Sequence, residues 1–421
     1  MLVDSGSKWI GKVPTHWEIS KIGHCFNHRN EIVSDKGYEP LSVTKNGILP
    51  QLETAAKSDN SDGRKLIRRG DFVINQRSDR KGSAGVSPLD GSCSVIYTVL
   101  EPTRYHPAYA HHLFRSTAFQ EEFYRWGTGI VDDLWSTRYS LMRQISCPVP
   151  PLDEQKAIAD FLDQQLLTID NLIEKQKGLG AALERRRSSL IQRCVTKGMP
   201  KNVRMRKTNT FWLGEVPEHW QLGSLKRFAN TGAGAGFPIE FQGRTDEEIP
   251  FLKVNSLAKA DTTGIISIRE DTVSRATARQ LGAKIYPAGS IVMAKIGAAL
   301  LLGRVRTIFE NSCIDNNMMA IFPKTGVLPR FLYYLLQQIP FGLIVNPGAV
   351  PSTSEGAVSN VQMVLPPMTE QVEIADYLDR ETSQIDRLLA TNEEMLDKLT
   401  ERKSALISAA VTGKIDVWGN K

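Results

Sequence analysis

Two stretches of the chain repeat apolar residues every seven positions, with polar residues between. In the first, Leu162, Ile169, Leu183 and Leu190 form a row that Gln176 interrupts at its middle. In the second, Leu378, Ile385, Leu399 and Leu406 form the same row, interrupted by Asn392. Leu172 and Leu179, then Leu388 and Met395, supply a companion row. This period predicts two helices paired along a coiled-coil seam. They are expected from Glu154 to Val195 and from Glu370 to Val411, with Asp153 and Thr369 as N-caps behind a Pro-Pro pair. Gly178 and Gly180 weaken the first helix, by up to about 1 kcal/mol each. A helix of about 42 residues is roughly 60 Å long. In an antiparallel pair, Gln176 and Asn392 would face each other and fix the register.

Ahead of each helix the pattern changes to short β-branched runs broken by glycine and turn residues. Asp71-Phe-Val-Ile-Asn75 and Ser290-Ile-Val-Met-Ala294, each after a glycine, read as strands. Pro107–Arg115 and Pro329–Leu336 read as helices that begin on proline. The two regions are copies of one plan. Trp9-Ile-Gly-Lys-Val-Pro-Thr-His-Trp17 returns as Trp212-Leu-Gly-Glu-Val-Pro-Glu-His-Trp220, and Pro150-Pro-Leu-Asp-Glu-Gln155 returns as Pro366-Pro-Met-Thr-Glu-Gln371. The offsets are 212 − 9 = 203 and 366 − 150 = 216 residues, too long for a solenoid repeat. The expected class is therefore α+β: two mixed domains separated by two long helices in an antiparallel coiled coil, related by an internal pseudo-twofold. The boundaries read as 1–150 for the first domain, 151–200 for the central helix, 201–211 for a linker bearing Lys201, Arg204, Arg206 and Lys207, 212–366 for the second domain, and 367–421 for the distal helix and tail.

The net charge of +6 is mildly basic and compatible with a polyanionic partner. Five scattered cysteines without a C-x-x-C pair argue against a zinc site or a disulfide framework and for a reducing, cytoplasmic setting. No signal peptide or membrane span is visible in the sequence.

No catalytic motif is visible in the sequence. The run Gly232-Ala-Gly-Ala-Gly236 lacks the Gly-Lys-Ser/Thr of a phosphate loop. Asn346-Pro-Gly-Ala349 is not a base-flipping Asn-Pro-Pro-aromatic loop, and Glu154-Gln-Lys156 loses its lysine in the repeat copy Glu370-Gln-Val372. The seven histidines, His16, His24, His28, His106, His111, His112 and His219, carry no carboxylate or cysteine partner at metal-binding spacing and read as structural.

These motifs, together with Val195-Thr-Lys-Gly198 and Val411-Thr-Gly-Lys414, resemble the DNA specificity subunit of type I restriction-modification enzymes. Gly413-Lys414 inverts the order of Lys197-Gly198, so the second helix is expected to end differently. Gly70–Arg77 with Gly82–Gly91, and Gly289–Gly297, resemble target recognition domains of two types. The resemblance implies a non-catalytic chain whose two target recognition domains read the halves of a split, asymmetric site on double-stranded DNA. It implies two methyltransferase subunits and restriction (translocase) subunits as partners. It also implies no cofactor on this chain, with S-adenosylmethionine, ATP and Mg on those partners.

Base edges are read by Arg, Asn, Gln and Lys, and phosphates are held by Lys and Arg. In the first domain the candidates are Asn75, Gln76, Arg77, Arg80 and Lys81 after a strand, Lys45 and Asn46 in a second turn, and Arg138 and Tyr139 beyond a Gly-Thr-Gly loop. In the second they are Lys253, Asn255, Lys295 and Arg304. A coiled-coil adaptor without DNA readout and a stand-alone DNA-modifying enzyme are the competing readings.

Overall fold

The computed structural model describes residues 1–421 except 52–62, 78–79, 130–134, 200–202, 341, 343, 347 and 418–421. It divides into two compact units. One holds Met1–Lys177 with Glu394–Lys421, and the other holds Gly178–Glu393.

The first unit is built on a four-stranded antiparallel sheet: β1 (Phe26–Arg29), β2 (Phe72–Asn75), β3 (Ala84–Val86) and β4 (Tyr97–Pro102), in spatial order β1-β4-β2-β3. Registers such as Val99 opposite Val73 and Ala84 opposite Ile74 place Phe72, Ile74, Ala84 and Leu100 in one apolar core. Helices α1 (Pro107–Arg115) and α2 (Thr117–Arg125) add Tyr109, Leu113, Phe114, Phe119 and Phe123 to it. The long helix α3 runs from Leu152 to Lys197 and passes from the first unit into the second at residue 178.

The second unit repeats the plan with β5 (Ala229–Ala233), β6 (Ile291–Ala294), β7 (Val305–Ile308), β8 (Met318–Pro323) and helix α4 (Pro329–Leu336). Its spatial order is β5-β8-β6-β7, extended by Ile265–Ile266, so the four main strands follow the order of the first unit. The helix α5 (Met368–Val411) gives its residues up to Glu393 to this unit and the rest to the first.

Both long helices begin two residues earlier than the sequence suggested. Asp153 and Thr369 lie inside the first turn, and the carbonyls of Pro151 and Pro367 accept the first helical bonds from Gln155 and Gln371. The acids of the first turn still favour the positive end of the helix dipole. A glycine follows the end of each long helix. Gly198 and Gly413 adopt left-handed conformations, with φ of +77° and +71°. A Cβ on Gly198 would lie 3.1 Å from Trp220, and one on Gly413 would overlap Pro14 and lie 2.9 Å from Trp17. The inverted Gly413-Lys414 order does end the second helix differently: α3 runs two residues past Val195 and Gly198 donates to the Cys194 carbonyl, whereas α5 stops at Val411, with Gly413 donating to Ala410 and Lys414 to Ala409.

The helices pair antiparallel. In the second unit Arg187 donates to Asp386 at 2.9 Å, while a Cβ on Gly180 would stand 3.0 Å from the Asn392 amide nitrogen, so the contacts descend along one helix as they ascend along the other. In the first unit Lys403 pairs with Asp170 at 2.6 Å, and Leu162 shares a core with Ala410 and Val411. Leu162, Ile169, Leu378, Ile385, Asn392 and Leu399 are buried, and Gln176, Leu183, Leu190 and Leu406 are half-buried. The companion row differs from expectation. Leu172, Leu179, Leu388 and Met395 are exposed, and the inward row is Leu166, Ile173, Gly180, Arg187 and Cys194 against Thr382, Leu389, Leu396, Lys403 and Ala410. Asn392 packs over Gly180, four residues beyond Gln176, because the missing side chain there makes room for its amide. The Asn392 carbonyl oxygen is buried without a partner among the described residues.

The stretch read as a linker is also structured. Lys201 lies outside the described residues, but Met205–Lys207 pairs with Glu215–Pro217 in a hairpin, as Leu2–Asp4 pairs with Lys12–Pro14. Arg206 donates to the Trp220 carbonyl, so its charge is spent on the fold.

Candidate nucleic-acid interface

Each unit joins its sheet to its long helix through one buried glutamine. Gln155 accepts from the His106 N–H at 2.7 Å and donates to the carbonyls of Pro150 (2.8 Å) and Arg104 (3.1 Å). Gln371 accepts from Leu328 at 2.7 Å and donates to Pro366 (2.9 Å) and Gly326 (3.0 Å). In both cases the amide satisfies backbone groups at the start of a proline-led helix, where no helical partner exists. Beside them His16 pairs with Glu154 and His219 with Glu370, at 2.8 and 2.7 Å. His112 pairs with Asp163 at 2.7 Å, where the second unit uses Arg330 on Asp379 at 2.6 Å. The repeated histidines are thus structural, which explains their place in the motif.

Against this common frame the loop between the two central strands differs. In the first unit it follows β2 and leads to β3. Its described residues include Arg77, Arg80 and Lys81, all exposed. The Lys81 ammonium lies 5.5 Å from the Tyr124 ring, and Arg77 bridges to Ser136. Gln76 accepts the Thr137 N–H through its carbonyl, and this brings Arg138, exposed at the start of the Tyr139–Met142 turn, toward the same loop. Lys45 and Asn46 are exposed at the tip of the Leu41–Thr44/Gly47–Pro50 hairpin, which packs on β3 where Gly47 meets Gly85.

Several candidates turn out to be occupied by the fold. Asn75 is buried, and its side-chain oxygen accepts from the Arg77 N–H at 3.0 Å. The Gln76 amide donates to Thr98 at 2.7 Å. Tyr139 stacks on His28 at 3.9 Å. Lys253 is held by the buried carboxylate of Asp271 at 2.6 Å and by Gln242 at 3.1 Å. A lysine committed to a buried acid is poorly placed to leave it for a phosphate, because the acid would remain unpaired. These four therefore position the loops.

In the second unit Asn255 is exposed on the Val254–Ala258 turn, and Lys295 is half-buried at the end of β6. Lys295 leads into a loop of different character. Leu300 is buried and anchors it, while Leu301 and Leu302 are each 61% exposed. The loop closes on Arg304, which has no partner among the described residues. Arg304 lines a cleft of about 440 Å³ with Arg187, Arg306, Leu302 and the acids Glu184 and Asp386. Arg306 donates to the carbonyls of Leu257 and Val305, and burial holds its guanidinium below the usual pKa. Arg187, paired with Asp386 at 2.9 Å, and Arg306 line the cleft but were not among the sequence candidates. The available signal was the basic run Arg185-Arg186-Arg187 on the inward edge of a helix read only as a spacer.

Histidine chemistry separates the units as well. His111 accepts from the Val86 N–H at 3.3 Å, and burial, with Arg115 nearby, pushes its pKa down to about 4. Burial also lowers His112 and His28. Among the described residues no helix is long and apolar enough to cross a membrane.

Residues 217–400 match the family model described as the type I restriction modification DNA specificity domain. The chain is 24% identical to the type I restriction enzyme MjaVIII specificity subunit of Methanocaldococcus jannaschii, over 96% of this chain and 94% of that one. A solved structure described under the complex assembly and conformational transition of the type I R-M system shares the fold at a TM-score of 0.76 and 16% identity, over 96% of this chain and 99% of that chain. The HsdS subunit from Thermoanaerobacter tengcongensis does so at a TM-score of 0.53 and 16% identity, over 96% and 98%. With a duplicated sheet and a glutamine-pinned helix in each copy, the chain is similar along nearly its whole length to type I restriction-modification specificity subunits.

Proposed function

We propose that this chain recognises a two-part, asymmetric sequence on double-stranded DNA, one part by each unit, and scaffolds the subunits that modify and cut that DNA. The observation that carries the reading is the contrast between a conserved internal plan and unlike loops. Both units share strand order and the glutamine junction, yet the β2–β3 and β6–β7 loops differ in charge and polarity. Duplicated frames with different reading loops suit a target whose halves differ in sequence.

In the first half-site Arg77, Arg80, Lys81 and Arg138 supply the cations, with Lys45 and Asn46 on the adjoining hairpin. In the second, Arg304, Lys295 and Asn255 do so, with Arg187 and Arg306 lining the cleft. Bidentate arginine-to-guanine contacts are each worth about 1–3 kcal/mol of discrimination. Phosphate contacts set a steep dependence on salt. The paired helices act as the spacer that leaves a fixed run of base pairs unread.

Within this reading the chain is not itself an enzyme. Two methyltransferase subunits and the restriction subunits join it in the cytoplasm and bring S-adenosylmethionine, ATP and Mg. The test is a genome-wide map of methylated adenines in the source organism, with and without this gene. A two-part motif of constant gap that vanishes on deletion supports the proposal. A map unchanged by deletion, or a single uninterrupted motif, contradicts it.

A further inference from the structure

The β6–β7 loop exposes apolar side chains where the β2–β3 loop exposes cations, and it does so by construction. Gly297, with φ of +80°, donates its N–H to the Pro351 carbonyl at 2.8 Å and opens the short Ala298–Leu301 helix. At the other end Gly303 donates to the Leu300 carbonyl at 3.0 Å. Leu300 is only 1% exposed, so it anchors the turn from below. With both ends pinned and the centre anchored, Leu301 and Leu302 are held outward as neighbours. Exposed leucines cost solubility, and a loop otherwise free to vary has no structural need of two.

Their surroundings name the occupant. Leu302 shares its cleft with Arg304, Arg306 and Glu184, and with Arg187, which Asp386 neutralises; Arg304 is the guanidinium there without a partner among the described residues. The same place in the strand order of the first unit carries Arg77, Arg80 and Lys81. An apolar step beside the unpaired Arg304 guanidinium matches a nucleic-acid groove, where phosphates flank base edges. The apolar group on a major-groove base edge is the C5-methyl of thymine. We infer that Leu301 and Leu302 read thymine methyl groups in the half-site assigned to the second unit, while Arg304 holds the adjoining phosphate. The inference rests on the DNA-reading function proposed above and adds a base preference to it.

The experiment selects duplexes from two random pools with the full chain, one pool containing thymine and the other deoxyuridine, which lacks only the methyl group. The L301A/L302A double variant is run beside the wild type, and the conservative L301M/L302M pair serves as rescue. Both positions are exposed, so thermal unfolding should be unchanged and reports that the variants fold. For the wild type, removing a contacted methyl should weaken binding about fourfold, confined to one half of the motif. The alanine pair should lose the thymine/deoxyuridine difference and keep the preference of the other half. The methionine pair should retain both.

A wild type that treats the two pools alike, or an alanine pair that still distinguishes them, overturns the inference while leaving sequence-specific binding intact. Weaker binding by the alanine pair without any effect of the methyl would assign the leucines to insertion between base steps, and it too overturns the methyl reading. A wild type that selects no sequence from either pool removes the DNA-reading function itself.

Discussion

The β2–β3 loop of the first unit and the β6–β7 loop of the second stand at the same point in the same strand order, yet one presents Arg77, Arg80 and Lys81 and the other Leu301 and Leu302. The junctions below them show the opposite. Gln155 and Gln371 make the same three hydrogen bonds, and Gly198 and Gly413 end the long helices against the same tryptophan–proline pair. The comparison teaches where a duplicated module is free to change. Groups that satisfy buried backbone are fixed by the cost of leaving it unpaired. The loops answer only to what they touch from outside.

The largest expected effects come from the shared junctions. Gln155→Ala or Gln371→Ala would strand an N–H and two carbonyls, and each should cost about 3 kcal/mol of stability, read by denaturant unfolding. A large effect in one unit and none in the other would break the equivalence. Next, Gly413→Ala forces a left-handed alanine into Pro14 and should cost about 2 kcal/mol. Gly198→Ala meets Trp220 at a looser 3.1 Å and should cost about 1 kcal/mol. The reverse order would contradict the packing described at the helix ends.

The loops should separate rather than agree. Arg77→Ala should reduce discrimination in the first half-site by about 1–3 kcal/mol and leave the second alone, as seen by titration against duplexes mutated in either half. Equal loss on both halves would remove Arg77 from the reading set.

The smallest effect is a pH response. His111 titrates near 4 in the folded chain because it is buried, against an ordinary value of 6.5. Above pH 6.5 neither state is protonated, and the stability is fully present. As the pH falls from 6.5 to 4 the unfolded chain takes up a proton that the folded chain refuses, so stability is lost across that window. His112 and His28 shift the same way. Hydrogen exchange should therefore show the first unit losing protection over that window more than the second, whose one histidine, His219, sits in a surface ion pair. H111Q should flatten the difference.

Much of the frame was legible because its signals are periodic or repeated. Leu162, Ile169, Leu378 and Ile385 mark a seven-residue row, and that row faces inward. The companion row was not legible locally. Leu172 and Ile173 are both apolar, and each fits a three-four spacing from Ile169. Only extension to Leu166 and Cys194 decides for Ile173. Arg187 and Lys403 disguise the true row, since their charges are met by Asp386 and Asp170 from the facing helix. The β2–β3 and β6–β7 loops were legible as loops, from a glycine-introduced strand and the glycines that follow. Their individual residues were not. Asn75 turns inward because its oxygen caps the next turn, and Lys253 is claimed by Asp271, eighteen residues away along the chain. Such pairings arise only when the sheet forms. The exposure of Leu301 and Leu302 was not legible, because an apolar run such as Ile296–Leu302 reads as core until its burial is known.

The proposal that the paired helices set the spacing of a split site is tested most directly by lengthening them. One added heptad in α3 and one in α5, placed to keep the seam in phase, adds about 10.5 Å to each helix, the length of about three base pairs. The methylated motif of that variant, mapped beside the wild type, should keep both half-sequences and widen the gap by about three base pairs. An unchanged gap, or altered half-sequences across an unaltered spacing, would contradict the account.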